Sequence, residues 1–322
     1  MKQWLLATLA CVAGFTATAA PASAHAYPEK AVRIVVGYPP GGASDIVARL
    51  LAKELERLNG QPFVVDNRPG VGGMLAMKTV AESEPDGYVL GLGVSGTMVI
   101  GPHLQKSFFY DVKNDFSPIA LVAKASMVLL AGPAFEKESV GDLVRMAQEK
   151  PGEVIFASGA QAFELAMQLL NSRAQIKTTS ASYKGGAAAA IDVIGGRVPI
   201  MVDSVAAQLT NVREGKLRAL AVLDSARSPL LPDVPTMMEA GVPDYEAVGW
   251  VSIVAPKGVP QPIVEKLNAQ LREIVEQKEL NERLIVLGFQ PDAGSPSDLQ
   301  KLIDFEYDKW GEVVLQAGMT PQ

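Results

Sequence analysis

The chain has 322 residues, 48% of them hydrophobic and 6% aromatic, with a formal net charge of −6. An acidic surface of this kind suits nucleic acid poorly, because proteins that bind it gain most of their affinity by neutralising phosphates. One cysteine and two histidines leave little material for a disulfide framework or a zinc site, and the length fits two ordinary domains or one large one.

Lys2 precedes an apolar run over residues 4–20, and Ala22-Ser23-Ala24 supplies small residues for cleavage, so residues 1–24 read as a secretory signal peptide. The run is too short and too rich in Ala, Thr and Gly for a membrane anchor. Cleavage is expected after Ala24, with Ala26 as the alternative. Cys11 is disfavoured as a lipidation site, since Thr8 stands where a branched aliphatic is wanted. The mature chain then holds no cysteine, and no later apolar stretch is long enough to span a bilayer. A soluble, exported, periplasmic protein is expected.

Short β-rich runs next alternate with helical patterns. Residues 32–37 read as a strand and 44–58 as a helix, with Ile46, Val47, Leu50, Leu51 and Leu55 on one stripe and Asn59-Gly60 at its end. Residues 63–66 return as a strand. Gly70-Val71-Gly72-Gly73 opens a helix over 74–82, and Asp86-Gly87 turns into a strand over 88–94. Two strand ends run into glycine and hydroxyl residues: Pro39-Pro40-Gly41-Gly42-Ala43-Ser44-Asp45 and Ser95-Gly96-Thr97. At the first, helix-start N–H groups without partners and the positive end of the dipole suit a carboxylate or phosphate. The competing reading is an ordinary helix start capped by Ser44 or Asp45.

Apolar runs at 119–123 and 127–131 read as the crossover into a second domain. There the alternation resumes, with helices over 139–149, 162–172, 187–194 and 205–213 and strands over 154–157, 178–182, 199–202 and 217–222. A run over 247–255 returns the chain, and helices over 260–277 and 297–315 finish it. The fold class expected is α/β: two α/β domains joined by two crossings. Residues 25–123 plus 248–322 form domain 1, and residues 124–247 form the inserted domain 2. Ligands of such sheets bind beyond the carboxyl ends of the strands, here in the cleft between the domains.

Counting residues disfavours catalysis. His25 sits at the expected mature terminus and His103 follows Gly101-Pro102 without a Gly-x-Ser-x-Gly partner, so no histidine-centred nucleophile or metal cluster is expected. Gly70-Val71-Gly72-Gly73 is too short for a dinucleotide fingerprint, and the Pro40 turn lacks the lysine of a phosphate loop. No cofactor is expected. Backbone N–H groups are left as the carriers of anion recognition, and Arg68 is open to either a structural ion pair or an anion contact.

Several segments, in order, resemble the Bug-type receptors, the extracytoplasmic solute-binding proteins of tripartite tricarboxylate transporters. They include Tyr27-Pro28-Glu29-Lys30, Tyr38 to Asp45, Val65-Asp66-Asn67-Arg68-Pro69-Gly70, Pro85-Asp86-Gly87-Tyr88, Tyr183-Lys184-Gly185-Gly186 and Leu231-Pro232-Asp233-Val234-Pro235-Thr236. The resemblance implies a type II periplasmic-binding-protein fold of Venus-flytrap form. It would close over a small carboxylate as a monomer and deliver it to membrane permease subunits. It also implies a ligand set: Gly41, Gly42, Ala43 and Asp45, then Ser95, Gly96 and Thr97, with Tyr38 beside them. From the second domain come Ser158, Gln161, Phe163, Glu164, Tyr183, Gly185 and Asp203. Two alternatives are a ligand-sensing partner of a membrane sensor kinase and, less favoured, a hydrolase or isomerase on the same architecture.

One departure stands out. Where the resemblance implies a serine-rich turn ending in histidine, this chain reads Ser158-Gly159-Ala160-Gln161-Ala162-Phe163-Glu164, and Met74 replaces a usual asparagine. An ionised Glu164 disfavours ligands with several carboxylates. The expected ligand is a monocarboxylate with an aromatic or amide body against Phe163, Met74 and Met98, or an amino-bearing acid paired with Glu164 or Asp203. The competing reading is that Glu164 merely caps or solvates its helix.

Overall fold

The computed structural model describes residues 27–106 and 108–319. The expected signal peptide, with Cys11, and His25 lie outside the described residues.

The first third alternates strand and helix: β1 (Val32–Val36), α1 (Ala43–Asn59), β2 (Phe63–Asn67), α2 (Met74–Ala81) and β3 (Val89–Val94). A wide turn over Gly96–Ile100 runs into the short α3 (Gly101–Leu104), and β4 (Phe116–Ala125) leads directly to β5 (Met127–Ala131). The middle holds α4 (Val140–Glu149), β6 (Ile155–Ser158), α5 (Gln161–Ala174), β7 (Thr179–Ser182), α6 (Gly186–Ile194), β8 (Ile200–Ser204), α7 (Val205–Arg213) and β9 (Arg218–Val222). The chain ends with β10 (Gly249–Pro256), α8 (Gln261–Glu276), α9 (Lys278–Val286), β11 (Phe289–Pro291) and α10 (Pro296–Gln316).

The strands form a six-stranded sheet in the order β11-β4-β10-β3-β1-β2 and a five-stranded sheet in the order β7-β6-β8-β5-β9. β1 pairs in parallel with β2 and β3, and β6 with β7 and β8, so each sheet has a parallel half. β10 runs antiparallel to β3 and β4, and β5 antiparallel to β8 and β9. Parallel strands need crossover helices, which cover the sheet faces and bury runs such as Ile34, Val35 and Val36 completely.

The chain passes between the sheets twice, and the two passages lie side by side. Ser126 alone separates β4 from β5, while Leu223 N donates to Met127 O at 2.9 Å and Ala247 N donates to Leu223 O at 2.8 Å. Ser126 Oγ donates to Asp224 Oδ2 and accepts from Gln290 Nε2. Helix α10 packs on β4 and also on α5, so it bridges the two halves.

Most expected elements are present within two residues of their expected ends. Three were missed: the helical turn over 96–104, α9 and β11. Only Gln277 separates α8 from α9, whose short apolar stripe of Leu280 and Leu284 lies among charged residues. β11 is three residues long and exists through its pairing with β4, a contact absent from its own sequence.

Candidate functional site

In the first sheet the loops after β1 and β3 converge on one glycine. A Cβ on Gly73 would meet Thr97 Cγ2 at 3.0 Å, Gly37 O at 3.3 Å and Tyr38 Cε2 at 3.4 Å, and Gly73 holds a φ of 96° that favours glycine. Three segments distant in sequence therefore meet there, Gly37 backbone to backbone with Gly73, and Tyr38 and Thr97 through their side chains. Tyr38 leans over Gly96, its phenol raised above its ordinary pKa by burial. Gly41, Gly42 and Ala43 stay exposed at the start of α1.

Gly42 is the N-cap of α1 and no side chain caps it, so the expectation that Ser44 or Asp45 fills that position is corrected. Asp45 lies inside the first turn and reaches back. Its Oδ2 accepts from Gly41 N and Arg49 Nε, both at 2.9 Å, and its Oδ1 accepts from Asn67 Nδ2 at 2.8 Å. Asn67 closes the ring, donating to Tyr38 O and accepting from Arg49 Nη2. The hydrogen bond from Arg49 is the largest reason that the Asp45 carboxyl is lowered to about 2. Asp45 thus holds the turn in shape and is only 2% exposed.

This predicts a pH signature. The folded pKa lies below the unfolded value near 3.9, so the stabilisation is complete above about pH 5 and disappears as pH falls through 2. Asp45→Asn should cost about 1.5–3 kcal/mol at pH 7 in urea denaturation, with the gap from wild type closing between pH 4 and 2. A gap that persisted unchanged to pH 2 would contradict the ion pair.

At the end of β3, Ser95 is 8% exposed beside Gly249 of the second passage. The Thr97 hydroxyl turns inward to the backbone of Val94, while Thr97 O accepts from Tyr110 Oη at 2.7 Å. Thr97 therefore braces the loop through its side chain. Met74 and Met98 are 3% and 0% exposed in the core beneath, which overturns the expectation that they line an apolar ligand wall. The reason is local: both side chains fill the space under glycines, Met98 against Gly93 and Met74 against Gly101.

The second sheet repeats the device. A Cβ on Gly159 would lie 2.4 Å from Gly186 N, and one on Gly186 would lie 2.3 Å from Asp203 Oδ2, so the loops after β6 and β7 and the end of β8 stack at two points. Gly185 precedes α6 with a φ of 104°. Asp203 is 4% exposed, with Oδ1 accepting from Ser204 N and Oδ2 from Gln208 Nε2, both at 2.7 Å. Burial pushes its carboxyl above the usual range.

Ser158, Gln161, Glu164 and Tyr183 line a cavity of about 360 Å³ together with Ser180, Ser182 and Met319. Glu164 accepts from Ser180 Oγ and, at 3.1 Å, from Gln168 Nε2. The Tyr183 hydroxyl donates to Asp192 Oδ2 at 2.9 Å, while Phe163 packs partly buried on the core. Ser180, Ser182, Asn67 and Gln208 were missed as contributors. Asn67 had a signal in Asp66-Asn67-Arg68-Pro69-Gly70, whereas the β7 serines had none before their register was known.

Two further side chains found structural partners. Arg68 Nε donates to Asp66 Oδ2 at 3.0 Å. His103 packs its ring on Tyr307 with Nε2 2.8 Å from Tyr307 O, and burial lowers its pKa. Among the described residues, no group of three or more His, Cys, Asp or Glu is placed to hold a metal, and no helix is long and apolar enough to cross a membrane.

Comparison with known proteins gives concordant matches. A family model described as the tripartite tricarboxylate transporter family receptor matches residues 47–319. Protein BugT of Bordetella pertussis is 36% identical over 319 residues, 98% of this chain and 97% of that one. R. palustris Rpa4515, solved with adipate, is 32% identical with a TM-score of 0.74, covering 92% of this chain and 100% of that one. MatC (Rpa3494) from Rhodopseudomonas palustris, solved with bound malate, is also 32% identical, with a TM-score of 0.70 over 89% of this chain and 100% of that one.

Proposed function

The chain belongs to the tripartite tricarboxylate transporter receptor family, and from that premise we propose that it captures a small carboxylate outside the cytoplasm and delivers it to the membrane subunits of such a transporter. Its fold is the two-domain Venus flytrap of periplasmic binding proteins. In this reading residues 25–123 and 248–322 form one lobe, residues 124–247 form the other, and the signal peptide is removed on export to the periplasm.

The observation that carries the proposal is the glycine convergence at Gly73. It brings the turn after β1 and the loop after β3 together at the carboxyl ends of parallel strands, with Gly41, Gly42 and Ala43 exposed. Arg49 is engaged by Asp45 and Asn67, so backbone N–H groups at the start of α1 are the donors for a ligand carboxylate. Three or four charge-assisted bonds of roughly 1.5–3 kcal/mol each, less ordering costs, support a micromolar complex near −8 kcal/mol. The relatives solved with adipate and malate supply the ligand class, a small carboxylate.

A thermal-shift screen of the purified protein against aliphatic, aromatic and amino acids tests this. A true ligand at 100 times its dissociation constant should add about 2.7 kcal/mol of stability, and silence from every carboxylate would overturn the proposal. The bound acid should be recovered chemically unchanged, because no histidine or cysteine lines the cavity among the described residues. Deletion of the gene should abolish uptake of the acid; intact uptake with a lost transcriptional response would favour the sensor-kinase partner instead.

A further inference from the structure

If the chain is the carboxylate receptor proposed above, a ligand held at the Gly41 turn presents its other end to the second lobe. Positive charge is scarce there. The cavity beyond β6 and β7 is walled by the Glu164 carboxylate, the hydroxyls of Ser158, Ser180 and Ser182, and the Gln161 amide. No lysine, arginine or histidine lines it among the described residues, and Lys184 in the neighbouring loop points its exposure to solvent without contributing to the wall.

The helix starts beside the cavity carry the chain's own acids: Glu164 stands in the first turn of α5, and Asp203 lies near Gly186, the first residue of α6. Asp203 is 4% exposed and is not part of the cavity wall, which removes it as a ligand partner. Glu164 differs on both counts. It is half-buried, it lines the cavity, and its side-chain partners Ser180 and Gln168 are neutral, so no side-chain cation offsets its charge. Each of its oxygens holds one hydrogen bond and keeps a lone pair for another. With Met74 and Met98 in the core, the apolar-wall alternative loses two of its three residues.

We propose that this cavity receives the far end of the bound acid and that Glu164 selects an ammonium or amide N–H donor there over a second carboxylate. An ammonium would donate a charge-assisted hydrogen bond to Glu164, whereas a carboxylate would meet a like charge with no side-chain cation to offset it.

Calorimetric titration with spacer-matched acids tests the selection: glutarate, glutaramate and 4-aminobutyrate, then adipate, adipamate and 5-aminopentanoate. In the wild type the amino acid or half-amide of each set should bind at least tenfold more tightly than the dicarboxylate. Glu164→Gln should shrink the amino-to-dicarboxylate ratio at least tenfold. Ser180→Ala, which removes a neutral partner and leaves the charge, should preserve the preference and so controls for local disruption. Tighter binding of the dicarboxylates, or an unchanged ratio in Glu164→Gln, overturns the selection and leaves the receptor standing. Binding of some other carboxylate with none of these six does the same, and no binding by any carboxylate removes both.

Discussion

Glu306→Ala is expected to lower the stability of the protein by about 3–5 kcal/mol, because it strands a buried cation. Glu306 and Lys309 are 3% and 8% exposed on α10, with Lys309 Nζ donating to Glu306 Oε1 at 2.9 Å. Trp250 Nε1 donates to the other oxygen at 2.6 Å, and Lys309 also donates to Glu246 O at 3.0 Å. The pair therefore ties α10 to the start of β10, at the second passage between the lobes. Removing Glu306 leaves the Trp250 indole N–H without its acceptor and the Lys309 ammonium with Glu246 O alone, beside Trp310, whose buried Nε1 has no partner among the described residues. Replacing both charged residues together, Glu306→Leu with Lys309→Met, should recover most of the loss, since an apolar pair removes both desolvation costs. Urea denaturation of the single and double variants checks this. A single variant within 1 kcal/mol of wild type would mean that water reaches the pair.

Gly37→Ala is the second large expectation. Its Cβ would stand 2.5 Å from Gly73 Cα and 2.6 Å from Gly73 O, and backbone atoms cannot swing aside as a side-chain end can. The loop over 70–73 must move, carrying with it the contacts of Gly73 to Tyr38 and Thr97. We expect a loss of about 2 kcal/mol or more by strain and at least a tenfold loss of affinity for the best ligand. Gly42→Ala provides the contrast. Gly42 has a φ of −78° and its nearest obstacle is Pro39 O at 3.6 Å, so stability should stay within about 0.5 kcal/mol. Equal stability losses in the two variants would remove the convergence argument.

Much of the site was legible as segments and little of it as contacts. Pro39 to Asp45 read as an exposed glycine turn on a helix start, and that is how it folds. Asp45 read as a cap or a ligand group, and the structure shows it held by Arg49 one turn along and by Asn67, 22 residues away. Glu164 was suspected from its substitution into a serine-rich turn. Its partner Ser180 lies 16 residues on, and only the pairing of β6 with β7 brings that hydroxyl into place. Thr97 looked like a ligand hydroxyl, but a wide turn points it back at Val94.

The sequence by itself determined the alternation of strand and helix, the two passages between the sheets and the glycine-flanked strand ends. Those features rest on hydrophobic period, turn chemistry and backbone freedom, all of which act over a few residues. Tertiary structure alone decided which polar groups are spent internally and which face a cavity. A carboxylate's partners are chosen by whichever strand end or helix lies within 3 Å, and that proximity is set by sheet order and register, as in the 56-residue span from Trp250 to Glu306.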